Sequence, residues 1–332
     1  MASSVLPSGL AEAFGLSPVE IRMRSGRMMS VHYDVVDATG QEWFLKCSPT
    51  DHRIEHLDLL RAVHGRLNAC RISVPIMRPT CDGRSGWVEG GRLYACYSLM
   101  PSERDALPRE DGEAAGALLG RIHRALHGAA FTGAVWARSL HDVRKIQEAI
   151  IPWLGFMSSA PSDPMDRMVQ PYLMHIARSL SELPELSRSL APRQLLHGDF
   201  NPQNLVISGG RVAGCIDFGD ATIGHPAEDV AEALLYFGGV EEGGRWEADR
   251  SLARQFLRGY LSEAPLGPEW VERLPLVLAA QSLRQLSKFT VRWNLYKRVP
   301  GVRRYISQLL CTMATPDRAA HAWHGLAAEL HI

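Results

Sequence analysis

The chain has 332 residues, of which 46% are apolar and 22% are charged, proportions that are ordinary for a globular protein. Thirty-six basic residues balance thirty-six acidic ones, so the net charge gives no indication of a nucleic-acid or polyanion binder. No apolar run approaches the ~20 residues that span a bilayer, the first residues do not resemble a secretory signal, and the six cysteines form no C-x-x-C pair. We expect a cytoplasmic protein that binds neither nucleic acid nor membrane.

The first hundred residues predict a small antiparallel sheet that carries one helix. Segments rich in β-forming residues alternate with turn signals such as the one that ends at Gly40. The predicted strands are 21–24, 31–36, 42–46, 87–88 and 92–99. Between the third and fourth of them, apolar residues recur with helical period from 54 to 67, which predicts a helix packed on the sheet.

After residue 101 the pattern becomes mostly helical, which predicts a second domain over 102–332 beside a first domain over 1–101. The predicted helices are 110–126, 139–154, 165–183, 226–237, 251–261 and 270–296. A short strand-rich island from 194 to 217 interrupts them and brackets two polar clusters. Catalytic groups favour such loops, which rigid elements hold in place.

The first polar cluster is H-G-D-F-N-P-Q-N at residues 197–204. A carboxylate and a carboxamide five residues apart, on a loop between two short strands, can direct both side chains to one place. Asp199 can accept a proton from an attacking hydroxyl group. The amide oxygen of Asn204 is a hard ligand that suits Mg²⁺.

The second polar cluster is I-D-F-G-D at residues 216–220, which follows a hairpin with the turn Ser208-Gly-Gly. The hairpin is expected to return Asp217 towards Asn204. Together these two side chains would form a partial oxygen shell that nucleotide phosphates complete, which is the usual way in which Mg²⁺ binds at phosphoryl-transfer sites.

These two motifs resemble those of the aminoglycoside phosphotransferase and choline kinase-like group, which are distant relatives of protein kinases. Asp229, within H-P-A-E-D-V-A, and the segment L-G-R-I-H-R-A-L at residues 119–126 extend the resemblance. It implies a bilobal α+β fold of the protein-kinase type, with an N-terminal antiparallel sheet carrying one helix and a mainly helical C-terminal lobe. It also implies an ATP- and Mg²⁺-dependent phosphotransferase that acts on a hydroxyl group of a small molecule.

By this resemblance, the N-terminal lobe binds the nucleotide and the C-terminal lobe holds the catalytic and acceptor-binding groups. Asp199 would be the catalytic base or the group that orients the hydroxyl, while Asn204 and Asp217 would hold the metal. Lys46, which ends the strand Trp-Phe-Leu-Lys, would contact the α- and β-phosphates. A helix acid should pair with this lysine, and Glu55 is the nearest candidate, with Asp58 one turn later.

The resemblance assigns three further groups of residues. The loop that covers the phosphates would include Ser25, Gly26 and Ser30, although a single glycine lets its backbone approach phosphate less freely than a kinase loop with three. The hinge that contacts the adenine edge would be Leu99, Met100 and Pro101. The supporting positions would be His197, Asp220 and Asp229.

Three classes of function follow from the resemblance. The first is an antibiotic-modifying kinase of the resistance type. The second is a metabolic kinase that acts on a homoserine-like, hydroxylysine-like or sugar hydroxyl. The third is a pseudokinase that only binds nucleotide, although every proposed catalytic position carries a competent residue. The choice between ATP and GTP and the oligomeric state stay open.

Two further patterns suggest additional sites. Arg284, Lys288 and Arg292 fall at i, i+4 and i+8, and such a cationic stripe near the acceptor would disfavour a cationic aminoglycoside. A solvated helix face paired with acids elsewhere is the simpler interpretation. His123 and His127 stand one helical turn apart and could ligate zinc, but ordinary packing explains them as well because no third ligand accompanies them.

Overall fold

The structure is a computed structural model that describes residues 6–7, 9–25, 31–49, 54–103, 111–131, 135, 139–159, 163–242, 245–299 and 301–331. The chain divides into two compact units. The first unit comprises residues 1–105, 128–136 and 206–219, and the second comprises 106–127, 137–205 and 220–332. The predicted domain boundary at residue 101 stays a prediction.

The described part of the first unit contains a six-stranded antiparallel sheet. Its strands are β1 (Pro18–Ser25), β2 (Val31–Asp37), β3 (Glu42–Pro49), β4 (Met77–Arg78), β5 (Trp87–Glu89) and β6 (Arg92–Ser98). They lie in the order β1-β2-β3-β6-β4, and β5 pairs with β6. The helices of this unit are α1 (Leu10–Ala13) and α2 (Ile54–Ala69).

Side-chain alternation along β2 and β3 gives the sheet an apolar face and a polar face. Val35 and Leu45 are fully buried in a core that also contains Phe14, just after α1. Lys46 lies one residue after Leu45 and therefore points to the opposite face. The register pairs Lys46 with His32 across the two strands, so both side chains occupy that second face.

A hairpin of β8 (Leu205–Ser208) and β9 (Arg211–Cys215) carries the second polar motif at its end; β7 (Gln194–Leu196) precedes it in the chain. In the first unit, Glu103 accepts hydrogen bonds from the backbone N–H groups of Gly209 and Gly210 at 2.6 and 3.1 Å. The N–H of Cys215 donates to the carbonyl oxygen of Ser73 at 3.1 Å. These bonds fix both ends of β9 and hence the start of the segment that contains Asp217.

The second unit is mainly helical. Its helices are α3 (Gly112–Leu126), α4 (Val143–Ser159), α5 (Pro164–Val169), α6 (Leu173–Ser189), α7 (Pro226–Phe237), α8 (Arg250–Leu261), α9 (Pro268–Thr290), α10 (Trp293–Tyr296), α11 (Val302–Ala314), α12 (Pro316–Trp323) and α13 (Leu326–Glu329). Its short strands are β7, β10 (Thr222–Gly224), β11 (Gly239–Glu242) and β12 (Arg245–Ala248); β7 pairs with β10, and β11 with β12.

Helices α3 and α8 approach each other closely through glycines. A Cβ atom on Gly116 would lie 2.0 Å from the carbonyl oxygen of Phe256, and one on Gly259 would lie 1.9 Å from that of Glu113. Neither position can accept a side chain without separating the helices. This backbone-to-backbone packing sets the positions of His123 on α3 and of the α8 residues that contact it.

The predicted elements mostly agree with the observed ones, and the differences have local causes. The predicted helix 226–237 is α7. The predicted helix 165–183 is instead α5, a 3₁₀ turn at Gln170–Tyr172 and α6, because Pro171 lacks a backbone N–H and interrupts the regular helix. Helix α1 and helices α11 to α13 were not predicted. No described helix is long and apolar enough to cross a membrane.

Candidate functional site

Asp199 and Asn204 lie together in the second unit, on the loop that follows β7. The side-chain Nδ2 of Asn204 donates to the backbone oxygen of Asp199 at 2.8 Å and to its carboxylate Oδ2 at 3.0 Å. Asn201 caps the 3₁₀ turn Pro202–Asn204 by accepting from the N–H of Gln203. The Asp199 carboxylate is therefore half-buried, and the neutral amide group of Asn204 sets its direction.

The buried carboxylate of Asp229, on α7, holds the backbone just before Asp199. Its Oδ2 accepts from the N–H of His197 at 2.7 Å, and its Oδ1 accepts from the N–H of Gly198 at 2.9 Å. His123 donates to Oδ2 through Nε2 at 3.1 Å, and the other ring nitrogen of His123 accepts from the hydroxyl of Tyr260 at 2.8 Å. Asp229 thus connects α3 and α7 with the loop, and His123 extends the connection to α8.

The environment of Asp229 favours its ionised form. Burial alone would raise the pKa of this carboxyl group, but the hydrogen bond from His123, the electrostatic contributions of His123 and His197 and the N–H of Gly198 bring the pKa below its ordinary value. Next to it, burial raises the pKa of Glu228 to about 7 although the N–H groups of Leu140 and His225 partly oppose the effect. Adjacent acids on one helix therefore shift in opposite directions.

The loop backbone passes Gly198 in a conformation that requires glycine. Its φ angle is +79°, and a Cβ atom there would lie 2.0 Å from the carbonyl oxygen of Asp220. His197 is fully buried, and its Nδ1 accepts from the N–H of Asp199 at 3.3 Å. The carboxylate of Asp220 forms an ion pair with Lys288. The supporting roles of His197 and Asp220 stay predictions.

Lys46 and Asp217 form an ion pair in the first unit. Nζ of Lys46 lies 2.7 Å from Oδ1 of Asp217, which also accepts from the N–H of Gly219 at 3.3 Å. Asp217 has a φ angle of +62°, and such left-handed backbone in a residue other than glycine is typical of functional sites. Its side chain keeps 43% of its surface exposed, so the carboxylate stays accessible.

Two histidines of α2, which the sequence did not single out, hold the segment after Asp217. Nε2 of His56 donates to the carbonyl oxygen of Gly219 at 3.1 Å. The ring of His64 packs edge-on against Phe218, with centroids 5.3 Å apart, while its Nδ1 donates to the carbonyl oxygen of Pro75 at 2.7 Å. Both are buried and lie eight residues apart on one face of α2, a spacing that could have indicated a shared role.

The helix acid that was predicted to pair with Lys46 is not its partner here. The acid bound to Lys46 is Asp217, whereas Glu55 is exposed at the start of α2. Asp58 accepts from the hydroxyl of Ser85 at 2.5 Å. The resemblance to protein kinases placed the pair on the helix, whereas in this structure the acid next to Lys46 follows the hairpin.

The remaining residues predicted to contact the nucleotide are only partly described. Gly26 and Ser30 lie outside the described residues, and Ser25 is the last residue of β1. In the predicted hinge, the N–H of Leu99 donates to the carbonyl oxygen of Glu42 at 3.0 Å, and Met100 and Pro101 follow with partly or fully exposed side chains. The roles of these residues stay predictions.

Arg284, Lys288 and Arg292 do not form a free cationic stripe. The simpler interpretation, pairing with acids, holds for Arg284 and Lys288, but Arg284 is buried rather than solvated. Arg284 is 1% exposed and forms an ion pair with the equally buried Glu232 at 2.7 Å. Lys288 pairs with Asp220, and Arg292 is exposed beyond the end of the helix. Helical spacing grouped the three residues on one face, but only Arg284 is turned towards α7, where Glu232 neutralises it.

The two histidines considered as zinc ligands are explained by packing. His123 binds Asp229 and Tyr260, and Nδ1 of His127 lies 3.1 Å from Oε1 of Gln194. Over the residues that the structure describes, no three His, Cys, Asp or Glu side chains are grouped as metal ligands. All six cysteines are free thiols.

Comparison with known proteins identifies a family. Residues 29–276 match the family model described as "Phosphotransferase enzyme family". A homoserine kinase of Gluconacetobacter diazotrophicus is 28% identical over 291 residues, which cover 86% of this chain and 80% of that protein.

Two solved structures share the fold. An amicoumacin kinase in complex with AMP-PNP, Ca²⁺ and Ami has a TM-score of 0.66 at 15% identity and covers 96% of this chain and 91% of its own. A microcompartment-associated aminopropanol kinase has a TM-score of 0.65 at 16% identity, and the match covers 94% of this chain and 96% of that kinase. The predicted fold class, an N-terminal antiparallel sheet followed by a mainly helical part of the kinase type, is confirmed.

We expect Asp229→Asn to lower the free energy of unfolding at pH 7 by about 2–4 kcal/mol. The neutral amide has a single acceptor oxygen, so one of the two backbone N–H groups would face its NH₂ group and the negative charge would be lost. The folded-state pKa of Asp229 lies below its unfolded value, so its contribution is complete above pH ~4 and is lost as the pH falls further. The difference from the unmutated protein should therefore shrink in acid. Denaturant titrations at several pH values measure it.

Asp142→Asn is the matched control, because Asp142 also accepts from a backbone N–H, that of Ser139 at 3.0 Å, but is partly exposed. It should cost only about 1 kcal/mol. Equal losses for both variants, or a loss at Asp229 that does not vary with pH, would contradict the role given to the buried charge.

Proposed function

We propose, because this chain belongs to the phosphotransferase enzyme family, that it transfers the γ-phosphoryl group of ATP to a hydroxyl group of a small molecule in a reaction that requires Mg²⁺. The family resemblance and the class of enzyme predicted from the sequence, a small-molecule kinase, are confirmed by that membership. The observation that carries the proposal is the pairing of Asp199 with Asn204 on a loop whose backbone is fixed by Asp229.

Asp199 is the group that acts on the acceptor. Its carboxylate is oriented by Nδ2 of Asn204, and its own peptide is anchored on both sides, so it is held ready to accept the proton of the attacking hydroxyl. Because phosphoryl transfer requires little covalent chemistry from the protein, positioning and charge account for most of the catalysis. No covalent enzyme intermediate is needed.

Asn204 and Asp217 are the proposed metal ligands. In the described part of the chain, the hydrogen bonds of the Asn204 carboxamide use its nitrogen, and this leaves the hard oxygen as a ligand. Asp217 offers an accessible carboxylate on strained backbone. Bound Mg²⁺ would neutralise charge on the β- and γ-phosphates. Oxygen donors of this kind fit Mg²⁺ better than a soft metal.

Lys46 is the proposed cation for the α- and β-phosphates. Its ammonium group lies on the polar face of the sheet beside His32, whose pKa is lowered by burial and by the charge of Lys46. His32 is therefore mostly neutral at pH 7. The backbone of residues 99–101 is proposed to contact the adenine edge, with residues 25–30 covering the phosphates. Glu55 is retained only as a candidate that could pair with Lys46 once nucleotide binds.

The acceptor is proposed to be a small hydroxy amino acid of the homoserine type, since the homoserine kinase relative matches most of the length of both chains. An antibiotic hydroxyl is the second candidate. The cationic stripe that would have disfavoured aminoglycosides does not present free positive charge, because Arg284 and Lys288 are both paired with acids. Charge on α9 therefore no longer argues against a cationic drug.

The acceptor can be identified by measuring nucleotide consumption with purified protein and Mg²⁺. One panel would contain homoserine and related hydroxy amino acids, and the other would contain antibiotics with free hydroxyl groups. We expect turnover with members of the first panel, because the relative of similar sequence is named a homoserine kinase. Turnover restricted to the second panel would instead establish the antibiotic-modifying kinase, and nucleotide binding without any turnover would establish the pseudokinase.

We expect Asp199→Asn to lower kcat by about 10²-fold or more, because the neutral amide keeps the shape of the side chain but cannot accept the proton. Nucleotide affinity should stay nearly unchanged, since the loss concerns the acceptor. Steady-state kinetics and nucleotide titration measure the two quantities separately. An unchanged kcat would remove Asp199 from the reaction.

We expect Asp217→Asn to weaken nucleotide binding about tenfold or more in the presence of Mg²⁺, the lower end expected for disturbing a metal site. Asparagine is chosen because it tolerates left-handed backbone, whereas alanine would add strain at φ +62°. Without Mg²⁺ the affinity should change little. Asp82→Asn, which removes an exposed acid paired with Arg84, is the control for general charge. A loss of affinity that does not depend on Mg²⁺ would contradict the assignment.

A further inference from the structure

A buried ion pair joins α9 to α7 in the second unit. The guanidinium of Arg284 and the carboxylate of Glu232 lie 2.7 Å apart, and each side chain is only 1% exposed. Gln281 accepts a hydrogen bond from Nε of the arginine, and Gln285 donates one to the glutamate. Four polar side chains thus form a network that water does not reach.

Stability alone does not account for such a pair. Removing two charges from water costs several kcal/mol per ion, and well-packed apolar residues of similar size are often as stable or more so. Burial raises the pKa of Glu232, although the charges of Arg284 and Lys288 oppose the effect. Burial would lower the pKa of Arg284, but the neighbouring acids more than offset it, so the guanidinium stays charged.

The arginine also reaches the loop that carries Asp199. The same Nη2 atom that binds Glu232 donates to the carbonyl oxygen of Gly198 at 3.4 Å. That oxygen belongs to the peptide group that links Gly198 to Asp199. A long hydrogen bond of this kind contributes little energy, but a fixed positive charge opposite the carbonyl resists rotation of the peptide.

The loop is held from the other side by the carboxylate already described. Asp229 accepts hydrogen bonds from the N–H groups of His197 and Gly198. On the other side, the guanidinium of Arg284 faces the carbonyl oxygen of Gly198, which belongs to the next peptide group. Gly198 has a φ angle of +79° and no room for a side chain. Without other contacts, the backbone of a glycine changes its φ and ψ angles more easily than that of any other residue. The charged contacts restrict this freedom.

We propose that Arg284, oriented by Glu232, is a positioning residue for phosphoryl transfer, because it fixes the Gly198–Asp199 peptide and thereby the direction of the Asp199 carboxylate. The inference rests on the role given to Asp199 in the proposed function. Arg284 does not bind the acceptor, since its side chain has almost no accessible surface. Its partner Glu232 keeps the guanidinium in place and balances its charge next to the Asp199 loop.

The test compares a double variant that removes the ion pair with the conservative variant Arg284→Lys. Arg284→Met/Glu232→Met replaces both ions with apolar side chains and leaves no unpaired buried charge, although Gln281 and Gln285 lose these partners. A thermal melt establishes that the variant is folded at the assay temperature. We expect its kcat to fall about 10²-fold, the effect of a small misplacement of a catalytic group, while KM for the nucleotide stays nearly constant. Arg284→Lys, which keeps the charge but loses the fork, should recover part of kcat.

Arg250→Met is the matched control. Arg250 also joins a carboxylate, that of Glu329, to backbone carbonyl groups, those of Ala322 and His324 at 2.8 and 2.7 Å, but it contacts no residue of the loop at 197–204. Removing it should leave kcat unchanged. A similar loss of kcat in this variant would mean that any broken arginine bridge in the unit impairs activity, and that result would overturn the proposal.

Hydrogen exchange of the amides at 197–204 gives a second result that does not require a substrate. The double variant should exchange faster at these amides while the rest of the chain and the Arg250→Met variant do not. If the unmutated protein turns over no acceptor, the proposed function fails, and exchange alone then decides whether Arg284 orders the loop. A double variant with normal kcat, or with normal exchange at the loop, would overturn the inference.

Discussion

The carboxylate of Asp229 is the interaction on which the organisation of the second unit depends. It is buried and ionised, and it accepts hydrogen bonds from two consecutive backbone N–H groups and from His123. A buried anion is stable only when donors surround it, so α3, α7 and the loop must all be in place together. The close packing of α3 on α8 and the hydroxyl of Tyr260 extend this requirement to α8. The direction of Asp199 is a consequence of this arrangement.

A similar principle applies in the first unit, where the segment at 217–219 is held by side chains of α2. His56 binds the carbonyl oxygen of Gly219, and His64 packs on Phe218. Asp217 itself stays accessible and is balanced by Lys46. In both units the backbone is fixed by buried groups, while the carboxylate that is proposed to act keeps exposed surface. Such rigid support is what catalysis by positioning requires.

Local sequence predicted what local chemistry determines. The motif at 197–204 and the helix 226–237 have short-range signatures: Asn201 and His225 accept from backbone N–H groups two residues later, and Glu228 completes a capping box. Partners that come from remote segments could not be predicted. Tyr260 reaches His123 across 137 residues, and periodicity gave no indication of which face of α9 is buried, so Arg284 was placed on the wrong surface. The role of Lys46 was assigned through family resemblance, and its contact with Asp217, 171 residues away, was not predicted.

The central claim is that this chain moves a phosphoryl group from a nucleotide to a hydroxyl group of a small acceptor. The most direct measurement is ³¹P NMR of purified protein with ATP, Mg²⁺ and homoserine or another candidate acceptor. We expect a phosphomonoester resonance that grows as the γ-phosphate signal of ATP declines, and no such resonance with Asp199→Asn. Loss of ATP to inorganic phosphate alone, or equal ester formation by the variant, would contradict it.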